Sequence, residues 1–316
     1  MKHFKILYCH DKNYNIQTFI SITSILNNSQ NAIFSIFIIH EEPDSFNYFK
    51  EKLNESDKIQ TITLYKFKDN NYFFPNTEGK HVSKATYFRL FINNYLPHDL
   101  DSLIYIDSDV VAIKNIDDIF ELNLKKLKVS KNTISACIET KKLGPDHDLF
   151  KNMQLDGNEY FNAGVMFIDY SKWKEKTSVD KFLKVLNKYS DKIIFWDQDV
   201  LNKYFDQNFE EIPEILNFRV YEPVNYEILD KEAVLLHYSG NVKPWTIQGG
   251  YKKFSKYYFN IYRELGLGKY HFVTNKPRLE SLKILFKLLL SKEFFYIDKK
   301  LNYIINSIFA IYKGRS

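Results

Sequence analysis

The chain uses little cysteine and little glycine for its size. It holds 2 cysteines and 10 glycines in 316 residues. Two cysteines exclude a disulfide-stabilised scaffold and a four-cysteine metal site, and such sparse use of cysteine is typical of a reducing cytosol. No apolar run reaches the roughly 20 residues that a membrane-spanning helix needs. The first residues show neither a signal-peptide core nor a small-residue cleavage site. We therefore expect a cytoplasmic protein.

The charge of the chain is concentrated at its C-terminal end. Hydrophobic residues make up 45% and charged residues 26%, which is globular composition, and aromatic residues reach 17%. The formal net charge is +5. Residues 281–316 carry seven basic and two acidic residues, so the first 280 residues are formally neutral. Without a basic excess in the body, nucleic acid is not an expected partner.

Apolar, β-rich runs alternate with amphipathic stretches along most of the chain. Strands are predicted at residues 5–10, 33–40, 61–67, 103–110, 133–139, 161–170, 216–221 and 234–238. Helices are predicted at residues 15–27, 82–95, 179–189, 197–205 and 251–265, with a further helix after the second strand. Strands separated by helices predict an α/β fold with a mainly parallel sheet flanked by helices.

The length allows two domains of ordinary size or one large α/β domain. Composition changes near Pro277, so we expect a catalytic domain at residues 1–277 and a basic, amphipathic, helical tail at residues 278–316. Ligands bind such folds at the carboxyl ends of the parallel strands. Asp11 and Asn13 follow the first predicted strand, and Asp107 and Asp109 lie at the end of the fourth.

Two segments carry residues that suit a metal ion and phosphate. In an extended chain, Asp107 and Asp109 point to the same side, and paired carboxylates suit Mg²⁺ or Mn²⁺. An acidic pair alone is a weak signal for a metal, because Asp at the end of a strand is often part of a turn. The more specific segment is residues 237–245, in which His237 can add an imidazole ligand. In the same segment, Gly240 permits close backbone approach to a phosphate, and Lys243 offers a positive charge to a diphosphate.

Six segments together resemble the bacterial family-eight retaining glycosyltransferases, which include lipopolysaccharide galactosyl- and glucosyltransferases and are related to glycogenin. The resemblance covers roughly residues 3–250 and keeps the family's order. The matching segments are Asp11-Lys12-Asn13-Tyr14, residues 85–90, Asp107-Ser108-Asp109, residues 161–165, Trp196-Asp197-Gln198-Asp199 and residues 237–245.

The resemblance implies a GT-A fold and transfer of a hexose from a UDP-sugar to a saccharide acceptor such as lipopolysaccharide core. It implies that Mn²⁺, or else Mg²⁺, is held by Asp107, Asp109 and His237. The implied catalytic residues around the donor sugar are Arg89, Asn162, Asp197 and Gln198, with Gln198 beneath the anomeric carbon. The implied donor-binding residues are Asp11, Asn13, Ser108, Glu139, Gly240 and Lys243.

Several of these residues also have ordinary structural interpretations. Asp197 could cap the helix that it begins, and Arg89 could form an ion pair on a helix face. Asn162 to Gly164 could let a strand pass close to a neighbour. Glu139 stands where the family's galactosyltransferases have Asp, which leaves galactose and glucose open as the donor hexose.

Two other functions fit part of the pattern. Residues 107–111 also match the motif of haloacid-dehalogenase-type phosphatases, with Asp107 as nucleophile. That motif belongs on a domain's first strand, however, and it leaves residues 237–245 without a role. The second alternative is a protein that binds nucleotide-sugar without turnover.

The tail combines apolar residues with most of the chain's excess positive charge. This combination suits helices that lie on the anionic, cytoplasmic face of the inner membrane. Packing of the tail against the body or against a second copy is the alternative.

Overall fold

The computed structural model describes residues 1–70, 72–75, 83–143, 147–221, 223–274 and 276–313. In these ranges the strands are β1 (Lys2–His10), β2 (Ala32–His40), β3 (Ile59–Lys66), β4 (Ser102–Ile106), β5 (Val110–Ala112), β6 (Ile134–Lys141), β7 (Glu159–Asp169), β8 (Phe209–Glu211), β9 (Phe218–Arg219) and β10 (Leu235–His237). The α-helices are α1 (Asn15–Asn27), α2 (Asn47–Leu53), α3 (Asp117–Val129), α4 (His147–Asn152), α5 (Tyr170–Lys176), α6 (Val179–Lys188), α7 (Trp196–Tyr204), α8 (Tyr226–Glu232), α9 (Lys256–Glu264), α10 (Arg278–Leu289) and α11 (Lys300–Lys313). Short 3-10 helices occupy Lys12–Tyr14, Pro43–Phe46, Lys84–Asn94, Glu214–Leu216, Lys253–Ser255 and Lys292–Tyr296.

The described strands form two sheets. The larger has seven strands in the order β3-β2-β1-β4-β7-β6-β8, and the smaller has three in the order β5-β10-β9. In the larger sheet β1, β2, β3 and β4 run parallel, β7 runs antiparallel to both its neighbours, and β8 runs parallel to β6. The predicted α/β fold with a mainly parallel central sheet is therefore confirmed.

The larger sheet is covered by helical segments on both faces. Alternate residues of β1 show this, since Leu7 and Cys9 join one apolar cluster while Ile6 and Tyr8 join the other. The first cluster includes the 3-10 helix Lys84–Asn94, and the second includes α1. Because β1 is buried on both sides, its sequence reads as a continuous apolar run. Both cysteines are buried and free.

One predicted strand, residues 103–110, is wrong as a single element. The chain leaves the larger sheet after β4, turns at Asp107 to Asp109, and enters the smaller sheet as β5. The backbone N–H of Val110 donates to the carbonyl of Asp107 at 3.1 Å, which closes the turn. The two aspartates thus lie in a turn between sheets, and extended-chain alternation is not what brings them together.

Other predicted elements differ in extent or type. Predicted helix 82–95 is a 3-10 helix, Lys84–Asn94, and Val82 lies outside the described residues. Predicted strand 216–221 is reduced to β9, and predicted helix 251–265 is a 3-10 turn followed by α9. Helices α1 and α6 match their predictions closely, because their apolar spacing is regular.

The tail packs on the body with one face and exposes the other. Leu285, Leu288, Tyr303 and Ile311 belong to the same apolar cluster as Trp245, and the Tyr303 hydroxyl donates to the carbonyl of Ile247 at 2.6 Å. Other large apolar side chains of the tail are exposed, namely Leu279, Leu282, Phe286, Leu290, Phe295, Leu301, Phe309 and Tyr312. We call these exposed side chains together the tail face. None of the described helices has the length and apolar character that crossing a membrane requires.

Candidate functional site

The candidate site lies where the carboxyl ends of neighbouring strands meet. Strands β1 and β4 run parallel side by side, so Asp11 and Asp107, which follow them, leave the sheet at the same edge. Strand β10 pairs with β5 so that His237 lies opposite Val110. This pairing brings the end of β10 beside the turn that holds Asp107 and Asp109.

Asp107, Asp109 and His237 converge. One ligand atom from each of the three lies within 4.8 Å of the others. The Nε2 atom of His237 is 3.3 Å from Oδ1 of Asp109 and 4.0 Å from Oδ2 of Asp107. Two carboxylates and an imidazole form a donor set that suits Mn²⁺ or Mg²⁺. The predicted grouping of these three residues is thus present.

A chain of hydrogen bonds fixes which ring nitrogen of His237 carries the proton. The backbone N–H of Gly164 donates to Oδ1 of Asn162 at 2.9 Å, so that atom is an oxygen. The Nδ2 of Asn217 also donates to it, at 2.9 Å, which leaves Oδ1 of Asn217 to accept from Nδ1 of His237 at 2.8 Å. Nδ1 therefore carries the proton, and Nε2 keeps its lone pair for a metal.

Gly164 makes room for this imidazole. A Cβ at this position would lie 2.3 Å from Cε1 and 2.8 Å from Nδ1 of His237. Any larger residue would displace the ring from the two aspartates. The structural interpretation of residues 162–164, close approach of a neighbour, is therefore correct for Gly164. The neighbour is His237, a candidate metal ligand.

Lys243 completes the charged centre. Its buried ammonium forms an ion pair with Asp109 and donates to the carbonyl of Tyr238 at 3.0 Å. Burial alone would raise the pKa of Asp109, but the charge of Lys243 and its hydrogen bond to this carboxylate hold that pKa well below its ordinary value. Asp109 is therefore ionised at neutral pH, as a metal ligand must be.

A buried arginine links the metal side of the site to the opposite side. Nε of Arg89 lies 2.7 Å from Oδ2 of Asp197, and its Nη2 lies 3.1 Å from Oδ1 of Asp107. Its Nη1 donates to the carbonyl of Ala163 at 2.5 Å, and its guanidinium lies over the ring of Tyr105 at 4.1 Å. Arg89 is not on an exposed helix face. It bridges the carboxylates of Asp107 and Asp197 inside the protein.

Asp197 is held as a buried acceptor. Its Oδ1 accepts from the hydroxyl of Thr86 at 2.5 Å. Burial raises the pKa of Asp197 to about 6, although the Arg89 charge opposes this shift. The residue does not cap α7, because the helix begins one residue earlier and Phe195 occupies the cap position.

The first turn of α7 is strained at its backbone and held by hydrogen bonds. Trp196 has φ of 49°, a left-handed value that costs a non-glycine residue about 1–2 kcal/mol. The buried carboxylate of Asp199 accepts from the N–H groups of Ile194 and Phe195 at 2.7 and 2.9 Å, and from the Tyr160 hydroxyl at 2.5 Å. These bonds stabilise the turn that presents Asp197 and Gln198.

The amide of Gln198 is oriented from both ends. Its Oε1 accepts from the N–H of Ala163 at 3.0 Å, and its Nε2 donates to Oε2 of Glu139 at 2.7 Å. Glu139 also accepts from Nδ2 of Asn162 at 3.0 Å and from the hydroxyl of Tyr221 at 3.2 Å. The structure thus brings Glu139, Asn162 and Gln198 into one network beside the candidate metal ligands.

The remaining predicted residues make local contacts around the site. Oδ1 of Asp11 accepts from the N–H of Asn13 at 2.9 Å and so caps a short turn. The Ser108 hydroxyl accepts from Thr18 at 2.7 Å, which directs it toward α1. Gly240 has φ of +81°, so the backbone there favours glycine. Their predicted contacts with a donor nucleotide stay predictions.

Two residues of the site escaped the sequence analysis. Asn217 sets the His237 tautomer, and Tyr221 contacts Glu139. Both fall in residues 216–221, which read only as a strand. The available signal was a polar Asn217 between Leu216 and Phe218 in an apolar run, since a buried amide needs partners.

The sequence matches known proteins over most of its length. The profile of the family described as Glycosyl transferase family 8 matches residues 5–249. A lipopolysaccharide 1,2-glucosyltransferase of Escherichia coli (strain K12) is 30% identical over 256 residues, which cover 76% of this chain and 72% of that protein. A lipopolysaccharide 1,3-galactosyltransferase of Salmonella typhimurium is 27% identical over 264 residues, with 78% and 74% covered.

The fold also matches solved structures. A crystal structure of the galactosyltransferase LgtC in complex with donor and acceptor sugar analogs superposes with a TM-score of 0.69. Identity is 20%, and the match covers 83% of this chain and 96% of that one. The expected GT-A fold is confirmed by this likeness.

Proposed function

Because this chain belongs to glycosyl transferase family 8, we propose that it transfers a hexose from a UDP-sugar to a saccharide acceptor, with a divalent cation and with retention of anomeric configuration. The observation that carries the proposal is the convergence of Asp107, Asp109 and His237 beside the sugar-side network of Arg89, Asp197 and Gln198. Transfer from a nucleotide-sugar needs both groups of residues. The first would bind the leaving diphosphate through the cation, and the second would face the sugar.

The metal would be Mn²⁺ or Mg²⁺. Asp107, Asp109 and His237 fit it in donor type, spacing and tautomer. When bound, the cation supplies positive charge to the diphosphate of the donor. Lys243 lies against Asp109 and would add a second charge where the departing UDP becomes more negative.

Asp197 would act on the sugar. As the bond to UDP breaks, positive charge develops on the sugar ring, and a fixed carboxylate stabilises it. Arg89 and Thr86 hold Asp197 in place for this role. Gln198 is neutral and a poor nucleophile, so attack by the acceptor on the leaving-group side of a short-lived ion pair accounts for retention without a covalent intermediate.

We further propose galactose or glucose as the hexose, and lipopolysaccharide core as the acceptor. The support is that the two relatives above are named as lipopolysaccharide glucosyl- and galactosyltransferases. Glu139, which binds Gln198 and Asn162, is the residue we expect to influence the choice of hexose. It carries one more methylene than the aspartate of the galactosyltransferases.

The test is a donor panel without acceptor. UDP-galactose, UDP-glucose and UDP-N-acetyl sugars are incubated with the protein and Mn²⁺, and released UDP is measured, since water can replace an unknown acceptor. We expect slow, metal-dependent hydrolysis of one UDP-hexose, abolished by a chelator. UDP binding without release from any donor would favour the non-catalytic alternative. The phosphatase alternative is removed by the family match, and Asp107 follows the fourth strand, not the first.

We also propose that residues 1–277 form the catalytic domain and that the tail places it on the cytoplasmic face of an anionic membrane. The tail face presents apolar side chains among basic residues such as Lys283, Lys287 and Lys300. Arg315, counted in the same basic group, lies outside the described residues. The support is this combination of apolar area and positive charge.

Deleting the whole tail would uncover the apolar cluster it covers, so point changes on the tail face are the cleaner test. Phe286 and Phe309 are 65% and 63% exposed. Phe286→Asp with Phe309→Asp should lower the fraction that sediments with phosphatidylglycerol vesicles about tenfold, because apolar contact is lost and negative charge added. Tyr48→Asp, on the body, is the control. Equal sedimentation of both variants would refute a membrane role for the tail face.

A further inference from the structure

A cavity lies between the body and the tail, outside the candidate functional site. Its volume is about 520 Å³, within the range of small-molecule sites. The body side comes from residues 250–270 and the start of α8, and the tail side from residues 293–298. Ion pairs span it, with Nη1 of Arg263 at 3.2 Å from Asp298 and Nζ of Lys252 at 4.0 Å from Glu293. The cavity exists because the tail packs on the body.

The lining carries more positive than negative charge. Its four cations are Lys252, Lys253, Lys256 and Arg263, against the carboxylates of Glu293 and Asp298. Asp230, outside the lining, also pairs with Lys256 at 3.2 Å and with Lys253 at 4.0 Å. Nε of Arg263 is buried and has no hydrogen-bond partner. A buried donor without an acceptor is uncommon, and an anionic oxygen would satisfy it.

The same lining is rich in aromatic rings. Tyr226, Tyr251, Tyr270 and Tyr296 contribute, and Tyr296 is 89% exposed at the tail side. The Nζ atoms of Lys253 and Lys252 lie 4.7 Å from the ring centres of Tyr226 and Tyr251. Tyrosine combines an apolar face with a hydroxyl, so several of them suit a ligand that is partly apolar and rich in hydroxyl groups, such as a sugar ring.

The cavity backs onto the loop that carries Lys243. A Cβ on Gly250, a lining residue, would lie 3.3 Å from the carbonyl of Pro244, and one on Gly249 would lie 1.9 Å from the carbonyl of Lys243. The two backbone segments are therefore in contact, and the cavity lies behind the segment that positions Lys243.

We propose that this cavity binds a phosphorylated saccharide. Lysine and arginine side chains bind the phosphate ester, and the tyrosines pack against the sugar ring. Two sources share this chemistry. One is a phosphorylated part of the acceptor, an identification that rests on the proposed function, and the other is a free sugar phosphate.

The experiment is a calorimetric titration of the full chain with glucose 6-phosphate, glucose and inorganic phosphate, in saturating UDP and Mn²⁺ to occupy the catalytic site. We expect glucose 6-phosphate to bind at least about tenfold more tightly than either fragment, because it uses cations and rings together. Lys253→Gln with Lys256→Gln should weaken its binding about tenfold. Lys287→Gln, on the tail but outside the cavity, should not.

A second variant guards against a folding artefact. Tyr296→Ala removes an exposed ring and leaves the body–tail ion pairs in place, and it should weaken glucose 6-phosphate more than phosphate. The proposal is overturned if glucose 6-phosphate binds no more tightly than phosphate. It is also overturned if the affinity for glucose 6-phosphate is unchanged in both variants.

Turnover then separates the two sources. If the acceptor's own phosphate occupies the cavity, glucose 6-phosphate raises the acceptor KM and leaves acceptor-free donor hydrolysis unchanged. If the free sugar phosphate is the ligand, it binds without raising that KM. If the protein consumes no UDP-sugar at all, the proposed function fails. Binding of glucose 6-phosphate that the cavity variants weaken would still support the cavity site.

Discussion

Asp109→Asn should lower donor turnover about a thousandfold, since a divalent cation contributes several kcal/mol to stabilising a leaving diphosphate. Asp109 is the carboxylate that approaches both His237 and Lys243. An amide keeps the size of the side chain but removes the charge that binds the metal. The measurement is UDP release with the best donor across a Mn²⁺ titration, together with UDP affinity in Mn²⁺. Undiminished activity would refute the assignment of Asp109 as a ligand.

Two further variants test whether Mn²⁺ affinity depends on the orientation of His237. Asn217→Ala leaves all three ligands but removes the acceptor that fixes the His237 tautomer, so Mn²⁺ affinity should fall by about 10- to 100-fold. Asn123→Ala removes another buried asparagine, one that bonds within α3, and should leave Mn²⁺ affinity unchanged. Circular dichroism of each variant shows whether the fold is kept. An Asn217 variant with wild-type Mn²⁺ affinity would contradict the hydrogen-bond chain described above.

Arg89→Met should be the most destabilising single change at the site. Arg89 and Asp197 are 6% and 2% exposed as side chains, and the pair is 2.7 Å apart. Removing one member of a buried ion pair costs about 3–5 kcal/mol, because the other charge stays without compensation. Urea unfolding at pH 7.5 measures the loss. Lys283→Met, at an exposed position of α10, is the control and should change stability by less than about 0.5 kcal/mol.

The loss should depend on pH in a defined direction. The pKa of Asp197 is raised from 3.8 to about 6, so the folded protein holds this proton more tightly than the unfolded chain. Protonated Asp197 therefore contributes to the free energy of unfolding at low pH. This contribution is lost as the pH rises through about 6. At pH 5 the carboxyl needs no cation, and the destabilisation by Arg89→Met should shrink. An equal loss at pH 5 and pH 7.5 would show that Asp197 does not titrate in this range.

Regular patterns in the sequence predicted most strands of the larger sheet and several of the helices, but not α3, α5 or the edge strand β8. Strands β1 and β2 are apolar on both sides because they are covered on both sides, and α1 repeats apolar residues at helical spacing, so each local pattern agrees with its place in the fold. The prediction was wrong where distant parts of the chain decide how a segment is paired. The run at residues 103–110 is continuous in apolar character, yet it divides between two sheets.

The residue types at the site followed from the sequence, because the metal, phosphate and sugar chemistries each need particular side chains, and the matching segments occur in a fixed order. Their arrangement came from the tertiary structure. Whether His237 offers Nε2 to a cation depends on Asn217, which is distant in the chain, and on the missing side chain of Gly164. The environment of Asp197 depends on burial and on Arg89. Hydrogen-bond direction and burial belong to the packed molecule, so local sequence patterns do not contain them.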